Sequence, residues 1–166
     1  QVGEIGGIQV QGPNVFKGYW RMPEKTAEEF TSDGWFKTGD VGRWGGTNIS
    51  GKVPENYLSI VGRSKDLIIS GGYNVYPKEI EGFIDEMDGV AESAVIGIPH
   101  PDFGEAVLAI VVPKAGAKLN AQQMIDALKG QIANFKVPKR IEILNDLPRN
   151  AMGKVQKNVL RQQFSI

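Results

Sequence analysis

GRSKDLIISGGYNVYPKEIEGFIDEM, residues 62–87, contains the signals that decide the fold. A short apolar strand at 67–70 runs into Gly71-Gly72, a pair that marks a tight turn, and Pro77 suits the first turn of a helix. The apolar residues that follow recur at the spacing of one helical face: Ile80, Phe83, Ile84 and Met87. The stretch therefore predicts a strand, a turn and a helix that packs against a sheet.

The chain downstream continues this alternation of strands and helices. Continuous apolar runs at 93–99 and 106–113 are typical of buried strands. A last strand is predicted at 140–144 and a last helix at 155–163. Between them, a helix with a capping box is predicted, whose cap and apolar residues are Asn120, Gln123, Ile125, Leu128 and Ile132. The order βαββαβα gives a small α+β domain over residues 65–166.

Residues 1–64 differ from the rest of the chain in composition, being rich in glycine and aromatic residues, and they predict a mostly β region. Strand-like runs occur at 8–10 and 57–61, and a short helix is expected at 24–30, after Pro23. The segment 44–56 is rich in turn-forming residues, which predicts a long surface loop or a hairpin.

Composition excludes several classes of function. The chain has 166 residues with 19 basic and 19 acidic side chains, so there is no global charge that would attract nucleic acid or an anionic membrane. The absence of cysteine excludes disulfides and thiolate metal sites and agrees with a reducing compartment. The single histidine, His100, gives little support to a zinc site or a Ser/His triad. No apolar run approaches the roughly 20 residues of a membrane-spanning helix.

Two short motifs carry groups that suit ligand chemistry. FKTGDVG, residues 36–42, ends a strand on Asp40, and a carboxylate fixed on a tight turn can accept two hydrogen bonds from a vicinal diol. PRNAMGK, residues 148–154, delivers Lys154 on a flexible glycine step, and an ammonium is suited to phosphate and carboxylate oxygens. An ordinary turn aspartate and an ordinary surface-loop lysine are the alternatives.

The 62–81 stretch is more specific than either motif. It gathers Arg63, Lys65 and Asp66 before the strand, and Gly71-Gly72 permits close approach by a ligand. The alternative is a turn that carries a solvated charge cluster.

The four stretches together resemble the adenylate-forming superfamily of acyl-CoA synthetases, luciferases and peptide-synthetase adenylation domains. The resemblance rests on their order along the chain: GEIGGIQVQGPNVFKGYW at 3–20, then TGD, then GRSKDLIISGGYNVYPKEIE at 62–81, then PRNAMGK. Within the superfamily, the stretches at 14–26 and 148–161 and GYNVYPKEIE are most similar to malonyl-CoA synthetases.

This resemblance implies an enzyme that uses ATP with Mg²⁺ and CoA to convert a small carboxylic acid, malonate or a close analogue, into its CoA thioester. Residues 1–64 then match the end of a large N-terminal domain and 65–166 a mobile C-terminal lid. By the family pattern, Lys154 is the catalytic lysine of adenylation, Asp40 and Arg63 contact the nucleotide, and Lys65 is the hinge.

The resemblance also implies a CoA site on the lid. Gly71 and Gly72 match the lining of the pantetheine tunnel, and Phe103 and Phe135 match positions beside the CoA adenine. Lys136 and Lys139 are expected to hold CoA phosphates, within a net basic stretch at 135–161. Val137 departs from the pattern, since some relatives carry an arginine there for a CoA phosphate.

Several expectations concern partners and setting. The chain begins at Gln1 and lacks the family's phosphate loop, so we expect it to depend on a missing N-terminal domain, to be inactive alone, and to work in the cytoplasm without nucleic acid or a membrane. PRNAMGK has the Pro-x₄-Gly-Lys form that protein acetyltransferases read, so Lys154 is also an expected acetylation site. The rival interpretations are a stand-alone CoA or carrier-protein binding module and an acetyltransferase substrate domain.

Overall fold

A computed structural model describes residues 3–48 and 51–165 of the chain. It divides into two compact units, the first ending at Lys65 and the second beginning at Asp66. The sequence placed this boundary one residue earlier, between 64 and 65.

The first unit is a three-stranded antiparallel sheet with one short helix. Its strands are β1 (Gly6–Val10), β2 (Phe36–Asn48) and β3 (Gly51–Arg63), in the order β1-β2-β3. Helix α1 spans Pro23–Glu29 and begins on the proline itself, because the first helical N–H needs no partner within the helix. The helix and the strand at 8–10 were therefore predicted to within about one or two residues.

The segment 44–56 is a hairpin and not a loop. Strands β2 and β3 continue through it, with Thr47 opposite Lys52. The ladder skips from the pair Gly46–Val53 to Trp44–Leu58, so the register shifts at this point. Pro54 falls in the skipped part, where its missing N–H breaks no ladder hydrogen bond. Two of the turn-forming residues, Gly46 and Pro54, thus lie where the register between two long strands shifts.

The second unit is a five-stranded sheet with three helices. Its strands pair in the order β5-β4-β7-β6, and β8 lies parallel to β7. The elements, in chain order, are β4 (Ile68–Ser70), β5 (Tyr73–Val75), α2 (Pro77–Asp85), β6 (Val90–His100), β7 (Gly104–Pro113), α3 (Ala121–Lys129), β8 (Arg140–Ile143) and α4 (Lys157–Phe164). The α+β class is confirmed, and the predicted order βαββαβα needs one addition, the short strand β5.

Strand β5 exists because Gly71 and Gly72 form a two-residue hairpin turn. Both glycines have positive φ, 58° and 82°, which is the conformation that such turns require. Ser70 consequently lies opposite Tyr73, and the residues after the turn fold back along β4.

Strand β7 is covered on both faces. Alternate residues of the central strands point to opposite sides of the sheet. One face of β7 packs toward α2 and α3 through Val107, Ala109 and Val111. The other face, with Leu108 and Ile110, packs toward Leu147 and toward Leu160, which lies on α4. This two-sided burial is what the continuous apolar runs predicted.

Two predicted helix boundaries shift for local reasons. Helix α3 is capped as expected, since the Asn120 side chain accepts a hydrogen bond from the Gln123 N–H at 3.0 Å, but it ends at Lys129 before Gly130, so Ile132 lies beyond it. Helix α4 starts at Lys157 and not at Val155, because Val155 pairs with Arg149 in an isolated β-bridge.

Candidate functional site

Lys154 sits on a tight, hydrogen-bonded turn that leads into α4. The Asn150 side-chain oxygen accepts hydrogen bonds from the N–H groups of Met152 at 3.0 Å and Lys154 at 2.9 Å. The Asn150 N–H in turn donates to the Lys154 carbonyl at 2.9 Å. The Met152–Gly153 step, which the sequence suggested to be flexible, thus lies within a set of hydrogen bonds to the Asn150 backbone and side chain.

Gly153 makes this turn possible. Its φ is +77°, in the left-handed region that side-chain-bearing residues rarely adopt, and its N–H donates to the Asn150 carbonyl at 2.9 Å. A Cβ added at Gly153 would meet no atom within 4 Å, so the requirement for glycine comes from the backbone conformation and not from crowding.

The Lys154 side chain is exposed, and within residues 3–48 and 51–165 its ammonium has no hydrogen-bond or ion-pair partner. An unpaired ammonium keeps its full capacity to donate to a ligand, with three N–H groups.

The other basic side chains of the 135–161 stretch are mostly neutralised by carboxylates. Five of them form ion pairs: Lys136–Glu79, Arg140–Glu142, Arg149–Glu92, Lys157–Glu81 and Arg161–Asp66. Much of the basic charge of this stretch is therefore balanced by carboxylates. Among the seven basic residues of this stretch, those without a carboxylate partner in the described chain are Lys139 and Lys154.

The glycines and aromatic residues that the family resemblance assigns to CoA lie near one another around the β4–β5 turn. The Gly71 N–H donates to the Phe103 carbonyl at 2.9 Å, and a Cβ on Gly71 would lie 3.6 Å from the Phe103 ring. The Lys139 ammonium lies 5.4 Å from the centroid of the same ring, within cation–π range. Next along the β4–β5 turn, Tyr73 stacks on Phe135 with the ring centroids 4.5 Å apart.

Tyr73 and the ring of His100 belong to this cluster and were not predicted as site residues. His100 lies 4.7 Å from the Phe103 ring, and Tyr73 follows the glycine turn directly. The position of Tyr73 after Gly71-Gly72 could have suggested it, whereas the contact of His100 with Phe103 depends on the turn between β6 and β7.

The two lysines beside the aromatics differ in availability. The Lys136 ammonium is held by both oxygens of Glu79, at 2.7 and 2.8 Å, which leaves it less free to bind a phosphate. Lys139 is exposed. Val137, where an arginine was considered, is buried in the core and presents no polar group.

In the first unit, Asp40 and Arg63 are direct cross-strand partners on β2 and β3. The Arg63 Nε donates to Asp40 Oδ1 at 3.0 Å. The Thr38 hydroxyl accepts from the Asp40 N–H at 3.1 Å and donates to the Ile8 carbonyl at 3.0 Å. The two residues predicted to contact a nucleotide thus form one carboxylate–guanidinium pair across two paired strands. The prediction that the strand ends on a tight turn at Asp40 is wrong, because β2 continues to Asn48 and Asp40 lies inside it.

Lys65 lies in a single 3₁₀ turn, Ser64–Asp66, between two anchored neighbours. The Ser64 hydroxyl donates to the Gly39 carbonyl at 3.1 Å in the first unit. Asp66 accepts from the Arg161 guanidinium at 3.0 Å in the second unit. Each neighbour of Lys65 is therefore fastened to a different unit.

The described part of the chain shows no group of three or more His, Cys, Asp or Glu side chains that could hold a metal ion. None of the helices in that part is long and apolar enough to cross a membrane.

Comparison with known proteins places these features in a family. Residues 79–154 match the family described as the AMP-binding enzyme C-terminal domain. Indoleacetate–CoA ligase of Aromatoleum aromaticum is 44% identical over 160 residues, which cover 96% of this chain and 30% of that ligase. Feruloyl-CoA synthase of an Amycolatopsis species is 43% identical over 162 residues, which cover 98% of this chain and 31% of that enzyme.

A solved structure agrees with the sequence comparison. The crystal structure of ATP-bound MatB from Rhodopseudomonas palustris is 56% identical, with a TM-score of 0.85, and the match covers 99% of this chain and 31% of that one. Residues 79–154 are therefore an AMP-binding enzyme C-terminal domain, and the chain as a whole is similar to part of known CoA ligases, spanning about 30% of the length of each of these relatives.

Proposed function

We infer that this chain is the C-terminal part of an ATP-dependent acid–CoA ligase, which forms acyl-CoA, AMP and pyrophosphate from a carboxylic acid, ATP and CoA. The observation that carries this proposal is the state of Lys154. It is an exposed ammonium without a partner in the described chain, on a hydrogen-bonded turn, among basic neighbours that are mostly paired.

In the first half-reaction, the carboxylate oxygen of the acid attacks the α-phosphorus of ATP, and the bond to the pyrophosphate group breaks. Negative charge from both partners gathers at one centre, so an ammonium placed there stabilises the transition state more than the ground state. We assign this role to Lys154. Mg²⁺ that arrives with ATP would offset the charge of the leaving pyrophosphate.

Asp40 and Arg63 would hold the nucleotide during this step. A carboxylate that already accepts from Arg63 at 3.0 Å keeps further lone pairs for the two hydroxyl groups of a ribose. The Thr38 hydroxyl accepts a hydrogen bond from the Asp40 N–H within strand β2, which orients the carboxylate before a ligand arrives.

In the second half-reaction, the CoA thiol attacks the carbonyl carbon of the acyl-adenylate, and AMP leaves. We assign the pantetheine arm to the exposed turn at Gly71 and Gly72, and the adenine to Phe103 and Phe135. Lys139 is a stronger candidate for the CoA phosphates than Lys136, because Glu79 already binds Lys136 through both oxygens.

Lys65 would be the hinge between the two half-reactions. Ser64 and Asp66 are each hydrogen-bonded within a different unit, which leaves the Lys65 backbone to absorb a rotation.

Malonate is the acid that we propose, on the resemblance of PRNAMGKVQKNVLR and the related stretches to malonyl-CoA synthetases. The curated relatives carry the names of other acids, indoleacetate and ferulate among them. We place the enzyme in the cytoplasm, in agreement with its lack of cysteine.

Lys154→Ala in the complete enzyme should lower the rate of adenylate formation by on the order of 10²–10³-fold. It should leave thioester formation from supplied acyl-adenylate intact. The two half-reactions are measured separately, as pyrophosphate release and as acyl-CoA formation. Lys118→Ala is the matched control, because Lys118 is an exposed lysine of the same unit, away from the turn. Equal loss of both half-reactions in Lys154→Ala would contradict the assignment.

Phe103→Ala and Phe135→Ala should raise the KM for CoA and leave adenylate formation unchanged, since the aromatic faces for the adenine are lost. Ile143→Ala is the control for Phe103, because the two side chains are equally exposed, at 40% and 39%. An unchanged KM for CoA would return both phenylalanines to a purely structural role.

Acetylation of Lys154 should inactivate adenylation, because it removes the charge that the chemistry needs. Mass spectrometry after incubation with a protein acetyltransferase and acetyl-CoA should find Lys154 modified and Lys157, which Glu81 binds at 2.5 Å, unmodified. A Lys154 that stays unmodified would count against this form of control.

A further inference from the structure

The turn that carries Lys154 is fastened at its start by Arg149. One guanidinium nitrogen, Nη2, pairs with the Glu92 carboxylate on β6, and the other, Nη1, donates to the Gly153 carbonyl at 2.8 Å. That carbonyl belongs to the peptide group that joins Gly153 to Lys154. Arg149 thus connects the sheet directly to the backbone immediately before the lysine.

The same segment is fastened at its end by Lys157. Its ammonium lies 2.5 Å from Glu81 Oε1, and the same oxygen accepts from the Val95 N–H of β6 at 2.9 Å. Both attachments therefore reach strand β6, one directly through Glu92 and one through the buried carboxylate of Glu81.

The Arg149–Glu92 pair contributes little to overall stability. Its side chains are 38% and 31% exposed, and ion pairs open to solvent typically add little to the free energy of unfolding. Its geometry is better suited to orientation, because a planar guanidinium holds two acceptors at a fixed separation and angle.

We propose that Arg149 is a positioning residue for adenylation, which holds the Gly153–Lys154 peptide against Glu92 of strand β6 so that the Lys154 ammonium meets the α-phosphate. This rests on the proposed function of Lys154. Arg149 itself need not touch the substrate.

The consequence for the reaction follows from how steeply catalysis depends on placement. A displacement of about 1 Å can lower a rate by ~10²-fold. Lysine in place of Arg149 keeps the charge, and so can keep the pair with Glu92, but a single ammonium lacks the fork that spans both acceptors.

The test compares Arg149→Lys with Arg140→Lys in the complete enzyme. Arg140 is the matched control, because it forms an exposed ion pair with Glu142 on β8 and makes no hydrogen bond to residues 148–154 in the described chain. Its guanidinium also lies 5.8 Å from the centroid of the Phe164 ring, a cation–π contact that a lysine can also make. Arg149→Lys should lower kcat for adenylate formation by ~10-fold to ~10²-fold, with the KM for ATP, thioester formation and the unfolding midpoint unchanged. Arg140→Lys should leave all four quantities at their wild-type values.

A second measurement reports on the turn itself. The Lys154 N–H donates to the Asn150 side chain at 2.9 Å, so its hydrogen exchange is slow only while the turn is closed. Arg149→Lys should accelerate this exchange several-fold, and Arg140→Lys should not. Unchanged exchange in Arg149→Lys would overturn the positioning role.

The kinetic outcomes separate the two proposals. Wild-type adenylation in Arg149→Lys, when Lys154→Ala is inactive, overturns the positioning role and leaves the proposed function standing. Normal adenylation in Lys154→Ala overturns both. A lower unfolding midpoint with equal loss of both half-reactions would make Arg149 a merely structural residue and also overturn the inference.

Discussion

The buried carboxylate of Glu81 is the contact on which the arrangement of the second unit depends. It is 7% exposed, yet it carries a charge, and a buried charge is tolerated only when it is paired and hydrogen-bonded. Lys157 supplies the pair and the Val95 N–H the hydrogen bond. One side chain therefore joins helix α2, the edge of strand β6 and the first residue of α4. Since the Lys154 turn immediately precedes α4, this contact also holds the C-terminal end of the turn.

Charge pairing then decides which cations remain for chemistry. Carboxylates neutralise the lysines and arginines that hold the fold together, and within the described chain the paired set includes the basic residues on both sides of Lys154. Among the seven basic residues of 135–161, Lys154 and Lys139 are left without a carboxylate partner in the described chain. We connect the first to the phosphate of ATP and the second to the phosphates of CoA.

Local patterns in the sequence predicted the elements whose signals are local. The two-sided apolar runs gave β6 and β7, and the spacing of Ile80 and Ile84 gave α2. Strand β5 was missed because three residues carry no periodicity, and its existence depends on the paired positive φ values of the glycine turn. The sequence left a loop and a hairpin open at 44–56, because turn-forming residues occur in both, and the pairing of β2 with β3 decides for the hairpin.

The site was harder to predict, because its electrostatics depend on residues far apart in the sequence. A count over 135–161 suggested a net basic surface, but the carboxylate that binds Arg161 is 95 residues away, and the one that binds Lys157 is 76 residues away. Only the fold brings these groups together. The family motifs nevertheless named Gly71, Phe103 and Lys139, which the structure groups in one cluster, and Lys154, which it leaves exposed.

We propose that this chain is part of an enzyme that activates a carboxylic acid with ATP. The most direct test is acid-dependent AMP release by the complete enzyme in the presence of ATP, Mg²⁺ and CoA, with malonate and acetate measured side by side. We expect strong AMP release with malonate and little with acetate. Release with acetate alone would keep the mechanism and discard malonate as the substrate. If no acid led to AMP release, the result would contradict the proposed ligase function and favour a stand-alone binding module.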